Sequence, residues 1–591
     1  MIVPMKKATI LMQSKDSASA IENLGTLGLL HVEHQRLPQG EDIAAAKEEI
    51  NLVNAAIQIL SQEEFVGRAN LQPTDELRDW KFTAHHLIDS RNRLSQLKDY
   101  ATTLKDKISQ YQAWGDFDPE QVRALTGQDI YIKLYQIPSK EIKKLAGRFI
   151  VKKIAAVKDL VSCALIARKD FTLDFRQIPL PKMGLKKMRD KLSEDARAIE
   201  VIKGEMRKIA SLRMEFLRVR AGLEEKLEFQ QALQGMGEAG TIMYLSGYIP
   251  DDALKALEQT ARARNWGIKI DDPSPEDKVP TLIRNPRWVS IINPVLKFLA
   301  IIPGYKELDI SLWFLVFFSI FFGMLIGDAG IGLVFLSLTF FARRKWGNKL
   351  QDKSVFTLFY ISSFCALIWG ALTGTFFGQA WLPQSVKPLL PALRQEKNIQ
   401  TICFFIGALH LSIAHAWRAV IKLPSFSALA ELGWILILWG AFFLAKMLVL
   451  GDLFPDPGKW FFLVGAALVV LFASPNRNPF KGVAAGLGNL LLNFVNSFTD
   501  VVSYVRLFAV GLATVAVADA FNNMALDVGF DTILGAVLTS LILLLGHTLN
   551  ILLAPMSILV HGVRLNVLEF SGHLDMQWQG FAYKPLRKSD K

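Results

Sequence analysis

The sequence predicts an α+β soluble half built as a dumbbell, two small α/β lobes joined by an antiparallel coiled coil. An all-α membrane domain of about eight transmembrane helices follows, the last two long and tilted. Three observations predict this. Apolar residues concentrate after about residue 308 in segments long enough to cross hydrocarbon, two separated heptad seams occupy the first half, and short strand-like stretches flank each seam. The expected boundaries are 1–285 for the soluble half, 286–307 for a linker and 308–591 for the membrane domain. Within the soluble half one lobe takes about 1–40 with 240–275 and the other about 115–182, and the arms run about 41–112 and 183–236.

Lys7 to Met12 reads as a strand and Ala18 to Leu30 as an amphipathic helix. The first seam runs through Ile50, Val53, Ile57 and Leu60, then Leu87, Leu94, Leu97, Ala101, Leu104, Ile108 and Tyr111. The second runs through Leu192, Ile199, Ile202, Met206, Ile209, Leu212, Phe216, Val219, Leu223 and Leu227. Ile130 to Tyr135, Phe149 to Ile154, Thr241 to Leu245 and Gly267 to Ile270 read as strands, and an irregular proline-containing stretch follows from about Asp271 to Pro303. An ordinary helical bundle is the alternative for this half.

From Leu308 to Ala342 the apolar run is roughly 35 residues, too long for one span of about 20, and Gly327-Asp328-Ala329-Gly330 breaks it. Further spans are expected at about Val355 to Gly378, Gln400 to Ile421, Leu429 to Leu450 and Trp460 to Ala473. The long stretches Val483 to Asn522 and Thr532 to Leu568 close the series, each read as a single helix. Loop charges test this series independently of the hydropathy. Loops expected on the cytoplasmic side hold Arg343, Arg344, Lys345, Lys349 and Lys353, then Arg418 and Lys422, then Arg477 and Lys481, and the tail adds Lys584, Arg587, Lys588 and Lys591. The opposite loops hold Asp452, Asp456 and Lys459, then Asp519, Asp527 and Asp531; only the loop with Lys387, Arg394 and Lys397 dissents. The first residues lack the uninterrupted apolar stretch of a signal peptide, so the N-terminal half, and with it both termini, is expected in the cytoplasm.

The net charge of +12 comes with no nucleic-acid recognition motif, and basic loops between apolar spans account for it. Cys163, Cys365 and Cys403 are too scattered for a disulfide framework or a zinc site. Arginine inside a membrane helix costs about 2.5 to 3.5 kcal/mol and so calls for a reason. Arg506 has mostly apolar helix on either side and a small-residue stretch beside it, Ala509, Gly511, Ala513, Ala516 and Ala518, that would admit a close neighbour. At about 100° per residue Asn493, Asn496, Asp500, Ser503 and Arg506 form one polar stripe; Asn550, Ser557 and His561, with His547 further round, form another with Arg564. Two such stripes could line a water-accessible path. Snorkelling towards the interface is the alternative for Arg564, with Glu569 and His573 close beyond it. Asp328 reads as a structural turn residue, and His410 and His415 lack the four-residue spacing of a metal pair.

SYVRLFAVGLA around Arg506 and HGVRLNVLEFSGH around Arg564 resemble the arginine-bearing helices of the a subunit, subunit I in bacterial naming, of V-type and A-type rotary ATPases. FFGMLIGDAGIGL, WGALTGTFFG from Trp369 to Gly378 and SGYIP from Ser246 to Pro250 follow the same family's order, so the resemblance covers nearly the whole chain. No phosphate-binding GxxxxGK[ST] loop is present. The resemblance implies a non-catalytic stator with no cofactor of its own. Its implied partners are a ring of proteolipid c subunits, peripheral-stalk coiled-coil subunits, a central-stalk cap subunit and membrane lipid, with no nucleic acid. Arg506 would face the c-subunit carboxylate that carries H+ or Na+, and Arg564 would assist. Eukaryotic members carry an acid, a histidine and a glutamate where this chain has Leu492, Thr514 and Ala554, which favours a bacterial or archaeal plasma membrane. The half-channel groups are therefore assigned from the helical stripes and their neighbourhood: Asn493, Asn496, Asp500, Ser503, His547, Asn550, Ser557, His561 and Glu569. A self-contained secondary transporter and a membrane-anchored coiled-coil scaffold are the competing classes. The former lacks a second copy of the arginine stripe, and the latter leaves Arg506 unexplained.

Overall fold

The computed structural model describes residues 1–62, 79–157, 159–348, 350, 352–378, 388–473 and 479–588. Lys349, Lys387, Arg477 and Lys591, used above as loop charges, lie outside the described residues, as does 63–78 of the first arm. The chain divides into two compact units, one comprising Thr9–Gly247, Gln259–Lys269 and Pro585–Lys591, the other Met1–Ala8, Tyr248–Glu258 and Ile270–Lys584.

The first unit is mixed α/β, and three of its strands run past its bounds, at Met5–Ala8, Tyr248–Pro250 and Ile270–Asp271. Strand β1 (Met5–Gln13), helix α1 (Ser17–Leu27) and strand β2 (His31–Glu33) precede the long helices. Strands β7 (Gly237–Ala239), β8 (Ile242–Pro250) and β9 (Gly267–Asp271) come after them, with helix α7 (Leu254–Ala263) between β8 and β9, giving a sheet in the order β2-β8-β1-β9 with β7 against β8. The C-terminal residues join this lobe, Leu586 donating its N–H to Leu30 O and Lys588 to Gly25 O, each at 2.8 Å. Helix α2 (Glu41–Leu60) packs on α6 (Arg213–Gln234), and α3 (Trp80–Tyr111) packs on α5 (Leu185–Ala210). Asp79 caps α3 by accepting from Lys81 and Phe82 N–H. Helix α2 also meets α3, so Val53, Leu87, Leu94, Met206, Phe216 and Leu223 form one core. The second arm, expected as one helix, breaks at Ser211–Leu212, where Leu212 N bonds Ile209 O and the turn tightens. At the far end, after helix α4 (Pro119–Thr126), β3 (Tyr131–Pro138), β4 (Ile150–Val157), β5 (Leu160–Ala167) and β6 (Arg176–Ile178) form an antiparallel sheet in the order β4-β5-β3-β6. Strand β5 was not expected. Its LVSCALIA run lacks the polar alternation of a half-exposed strand, and Val161, Cys163 and Leu165 all enter the core.

The second unit is dominated by helices: α8 (Ser311–Ile326), α9 (Ala329–Trp346), α10 (Ser354–Thr373), α11 (Glu396–Lys422), α12 (Ser427–Leu450), α13 (Asp456–Phe472), α14 (Pro479–Ser503), α15 (Val505–Val528) and α16 (Ile533–Ser557). Among the described residues, five helical runs are long and apolar enough to cross a membrane: Ser354–Thr373, Glu396–Lys422, Ser427–Leu450, Val483–Val528 and Ile533–His573. Ser311–Ile326 is a shorter apolar helix. The stretch expected as an irregular linker contributes Ile292 to the core of these helices.

Asp328 explains the first hairpin. Fully buried, it caps α9 by accepting from Ile331 N (2.9 Å), and it accepts from Phe377 N (3.0 Å) and Gly378 N (2.9 Å), tying the α8–α9 turn to the end of the following span. The turn sits tight against α10, because a Cβ on Gly370 would lie 2.0 Å from Ala329 N.

Two expected single helices are interrupted. The Val483 to Asn522 stretch is α14 and α15 meeting at Tyr504, where Tyr504 N bonds Val501 O and Leu507 N bonds Tyr504 O. The Tyr504 ring is fully buried and its hydroxyl is hydrogen-bonded to His410 Nδ1 at 2.9 Å, which pins the junction. The last stretch passes from α16, which contains Pro555, into π-helical turns at Ile558–Gly562 and Leu565–Phe570. Helical wheels of constant 100° therefore fail across Tyr504 and beyond Ser557, and the two predicted polar stripes do not survive as continuous faces.

Candidate functional site: two arginines on one buried carboxylate

The junction at Tyr504 puts Arg506 in the first turn of α15, and the π turn at Leu565–Phe570 turns Glu569 inward. Glu569 is buried, and its Oε1 lies 3.5 Å from Arg506 Nη1 and 3.4 Å from Arg564 Nε. The Arg506 side chain is 22% exposed and that of Arg564 54%. One carboxylate against two permanently charged guanidiniums leaves the triad with an excess positive charge. Among the described residues Arg506 Nη1 and Glu569 Oε2 have no hydrogen-bond partner. The excess positive charge of the triad is complementary to a second carboxylate, an arrangement that charge-assisted pairing favours.

The small residues beside Arg506 divide between two faces. Gly511 and Ala518 turn inward, and a Cβ on Gly511 would stand 2.5 Å from Met324 O, so α8 of this same chain makes that close approach. Ala509, Ala513 and Ala516 are exposed and, at offsets of three and four, continue the face that bears Arg506.

The other candidates separate into groups. Asn493, Asn496 and Asp500 line a polar cavity of about 570 Å³. Ser503 donates to Asp500 O at 2.7 Å. At a different place His547 Nε2 is hydrogen-bonded to Asn522 Oδ1 at 3.1 Å and lines a mostly apolar cavity with Phe377. Asn550 is buried and donates to Thr514 O at 3.0 Å, holding α16 to α15. Ser557 and His561 are half-buried on the terminal segment. Of the positions that depart from eukaryotic relatives, Thr514 and Ala554 are buried in the core while Leu492 is exposed.

Sequence reasoning missed the groups across the polar cavity from Asp500. Glu431 on α12 is 3% exposed and meets Lys422 and, at 3.3 Å, Arg418, both from α11. Its Oε2 lies 2.6 Å from His415 Nδ1, His415 Nε2 lies 2.8 Å from His573 Nδ1, and His573 Nε2 lies 3.1 Å from Asp500 Oδ2. The signal was present as a lone acid at the start of one span opposite Arg418 and Lys422 at the end of the preceding one. The histidines were weighed only as a metal pair.

No protein-family model matches the chain. V-type ATP synthase subunit I of Borreliella burgdorferi is 29% identical over the whole of both chains. V-type ATP synthase subunit I 1 of Treponema pallidum is 31% identical, again over 100% of each. The chain belongs to the subunit I family of V-type and A-type ATP synthases. A-type ATP synthase subunit I of Methanocaldococcus jannaschii is 26% identical over 64% of this chain and 61% of its own length. A crystal structure of the cytoplasmic N-terminal domain of a subunit I, described as a homologue of subunit a of V-ATPase, aligns with 45% of this chain at 15% identity and a TM-score of 0.21, too low to bear on the fold. As a subunit I, the protein is a multi-pass membrane subunit of an ion-transporting synthase, with an α/β N-terminal part and a helical C-terminal part.

Proposed function

We propose that this subunit I is the non-catalytic stator of its rotary ATPase and that Arg506 faces the ion-binding carboxylate of a neighbouring c-ring. The carrying observation is the exposed face of Ala509, Ala513 and Ala516, ending at the partly buried Arg506 guanidinium beside one buried, shared carboxylate. Small side chains let a second helix approach, and the fixed charge keeps an approaching acid ionised, so that an ion cannot slip directly between the two half-channels. Arg564, through the same Glu569, holds the triad's charge in place. Residues 1–285 serve as the stator arm towards peripheral-stalk and central-stalk subunits, and nucleotide chemistry resides on partners. The charged loops support cytoplasmic termini in a bacterial or archaeal plasma membrane. The test is ATP-driven ion uptake by vesicles containing assembled complexes. Arg506→Ala is expected to abolish uptake while assembly persists; normal uptake by the assembled variant would remove this reading.

A further inference from the structure

The polar cavity lies at one end of the helix bundle, bounded by the end of α11 (His415, Arg418), the start of α12 (Glu431), the late part of α14 (Asp500) and the turn after the π segment (His573, Asp575). Across it runs an unbroken series of hydrogen bonds, Glu431 to His415 to His573 to Asp500, at 2.6, 2.8 and 3.1 Å. Each bond needs one proton. Three bonds need three protons, whereas two neutral imidazoles between two carboxylates supply only two. The series is complete only when it holds one proton more.

Its location follows from the neighbours. Lys422 and Arg418 both sit on Glu431 Oε1, which fixes that end as a carboxylate. His415 then donates Nδ1–H to Glu431 and presents a bare Nε2, which fixes His573 to donate from Nδ1. The additional proton is left to the His573 Nε2–Asp500 Oδ2 link. The charged groups around that link are His415 and Arg418, the latter donating to His573 O at 3.0 Å, with Glu431 behind His415 and Asp575 on the cavity wall. Asp500 stands six residues before Arg506, on the other side of the Tyr504 junction from the arginine triad.

We propose that the His573–Asp500 pair, oriented by His415 and Glu431, stores one exchangeable proton at the cytoplasmic end of the ion path, so that the ion this subunit moves is H+. The inference rests on the stator reading above. In the step, the proton on His573 Nε2 passes to Asp500 Oδ2 and from there into the path beside Arg506. The emptied link, lone pair against lone pair, then takes a proton from solvent in the cavity that both groups line. One H+ enters, one leaves, and no bond between heavy atoms changes. Na+ has no place in a 3.1 Å nitrogen-to-oxygen link.

The test uses the assembled complex. Nitrogen-15 spectra of histidine-labelled complexes, with His573→Gln for assignment, are expected to show His573 protonated on both nitrogens near neutral pH and His415 on one. In vesicles, ATP-driven H+ uptake by His573→Gln is expected to fall by about tenfold or more in alkaline medium and far less in acid, where bulk protons replace the store. Wild-type uptake is expected to run without Na+. A neutral His573 in the wild type, an absolute need for Na+, or a variant profile unchanged in shape would each overturn the proposal, and the wild-type spectrum decides even if the variant fails to assemble. Arg506→Ala assayed alongside separates the two readings: normal uptake by it removes the stator reading whatever the histidine spectra show.

Discussion

Glu569 places its buried carboxylate 3.5 Å from the Arg506 guanidinium, across 63 positions of sequence and between two different helical segments. The same oxygen also serves Arg564, so the three side chains act as one electrostatic unit. Removing the carboxylate strands a partly buried guanidinium, which is more damaging than replacing the whole pair.

A double-mutant cycle with Arg506→Met and Glu569→Leu is therefore expected to give a coupling of about 1–3 kcal/mol. The pair together should be less destabilising than the sum of the singles. Thermal denaturation of the detergent-purified protein measures this, and strict additivity would dissolve the unit.

Arg506→Lys retains charge but loses the planar fork that reaches Glu569 and that, in the function proposed above, meets an incoming acid, so vesicle uptake is expected to drop strongly. Arg564→Lys is expected to be milder, because half of that side chain already meets the surroundings. Equal losses in the two variants would count against the asymmetry.

Asp328 accepts three backbone N–H groups while fully buried. Asp328→Ala leaves all three unsatisfied and is expected to cost about 3 kcal/mol or more, with Asp328→Asn costing roughly half because it keeps one acceptor oxygen. The readout is the shift in denaturation midpoint, and a silent Asp328→Ala would contradict the role described.

Gly370→Ala drives a methyl into the Ala329 backbone at 2.0 Å, where neither helix can yield cheaply, and is expected to destabilise by about 3 kcal/mol. Gly488→Ala meets nothing within 4 Å and, inside α14, is expected to be neutral or stabilising by about 1 kcal/mol. Comparing the two midpoints checks the packing of the first hairpin against α10.

Much of the architecture was legible because it depends on local pattern. Hydropathy marked the spans, heptads marked the long helices, and Gly327-Asp328 marked the first break, since a glycine followed by a capping acid stops one helix and starts another. Strand β5 escaped because an apolar run interrupted only by Ser162 carries no period to read.

The sequence by itself determined that two arginines lie in late apolar segments, and that small residues flank the first, because composition and spacing are properties of the chain alone. Only the tertiary structure decided what those arginines meet. The Tyr504 junction and the π turns rotate side chains away from the positions a regular helix would give them, bringing Glu569 to both guanidiniums, while the packing of α16 on α15 turns Asn550 into a helix contact. The link from Glu431 to Asp500 draws on α11, α12, α14 and the turn after Phe570, and proximity between segments so far apart is set by packing rather than by any periodicity in the chain.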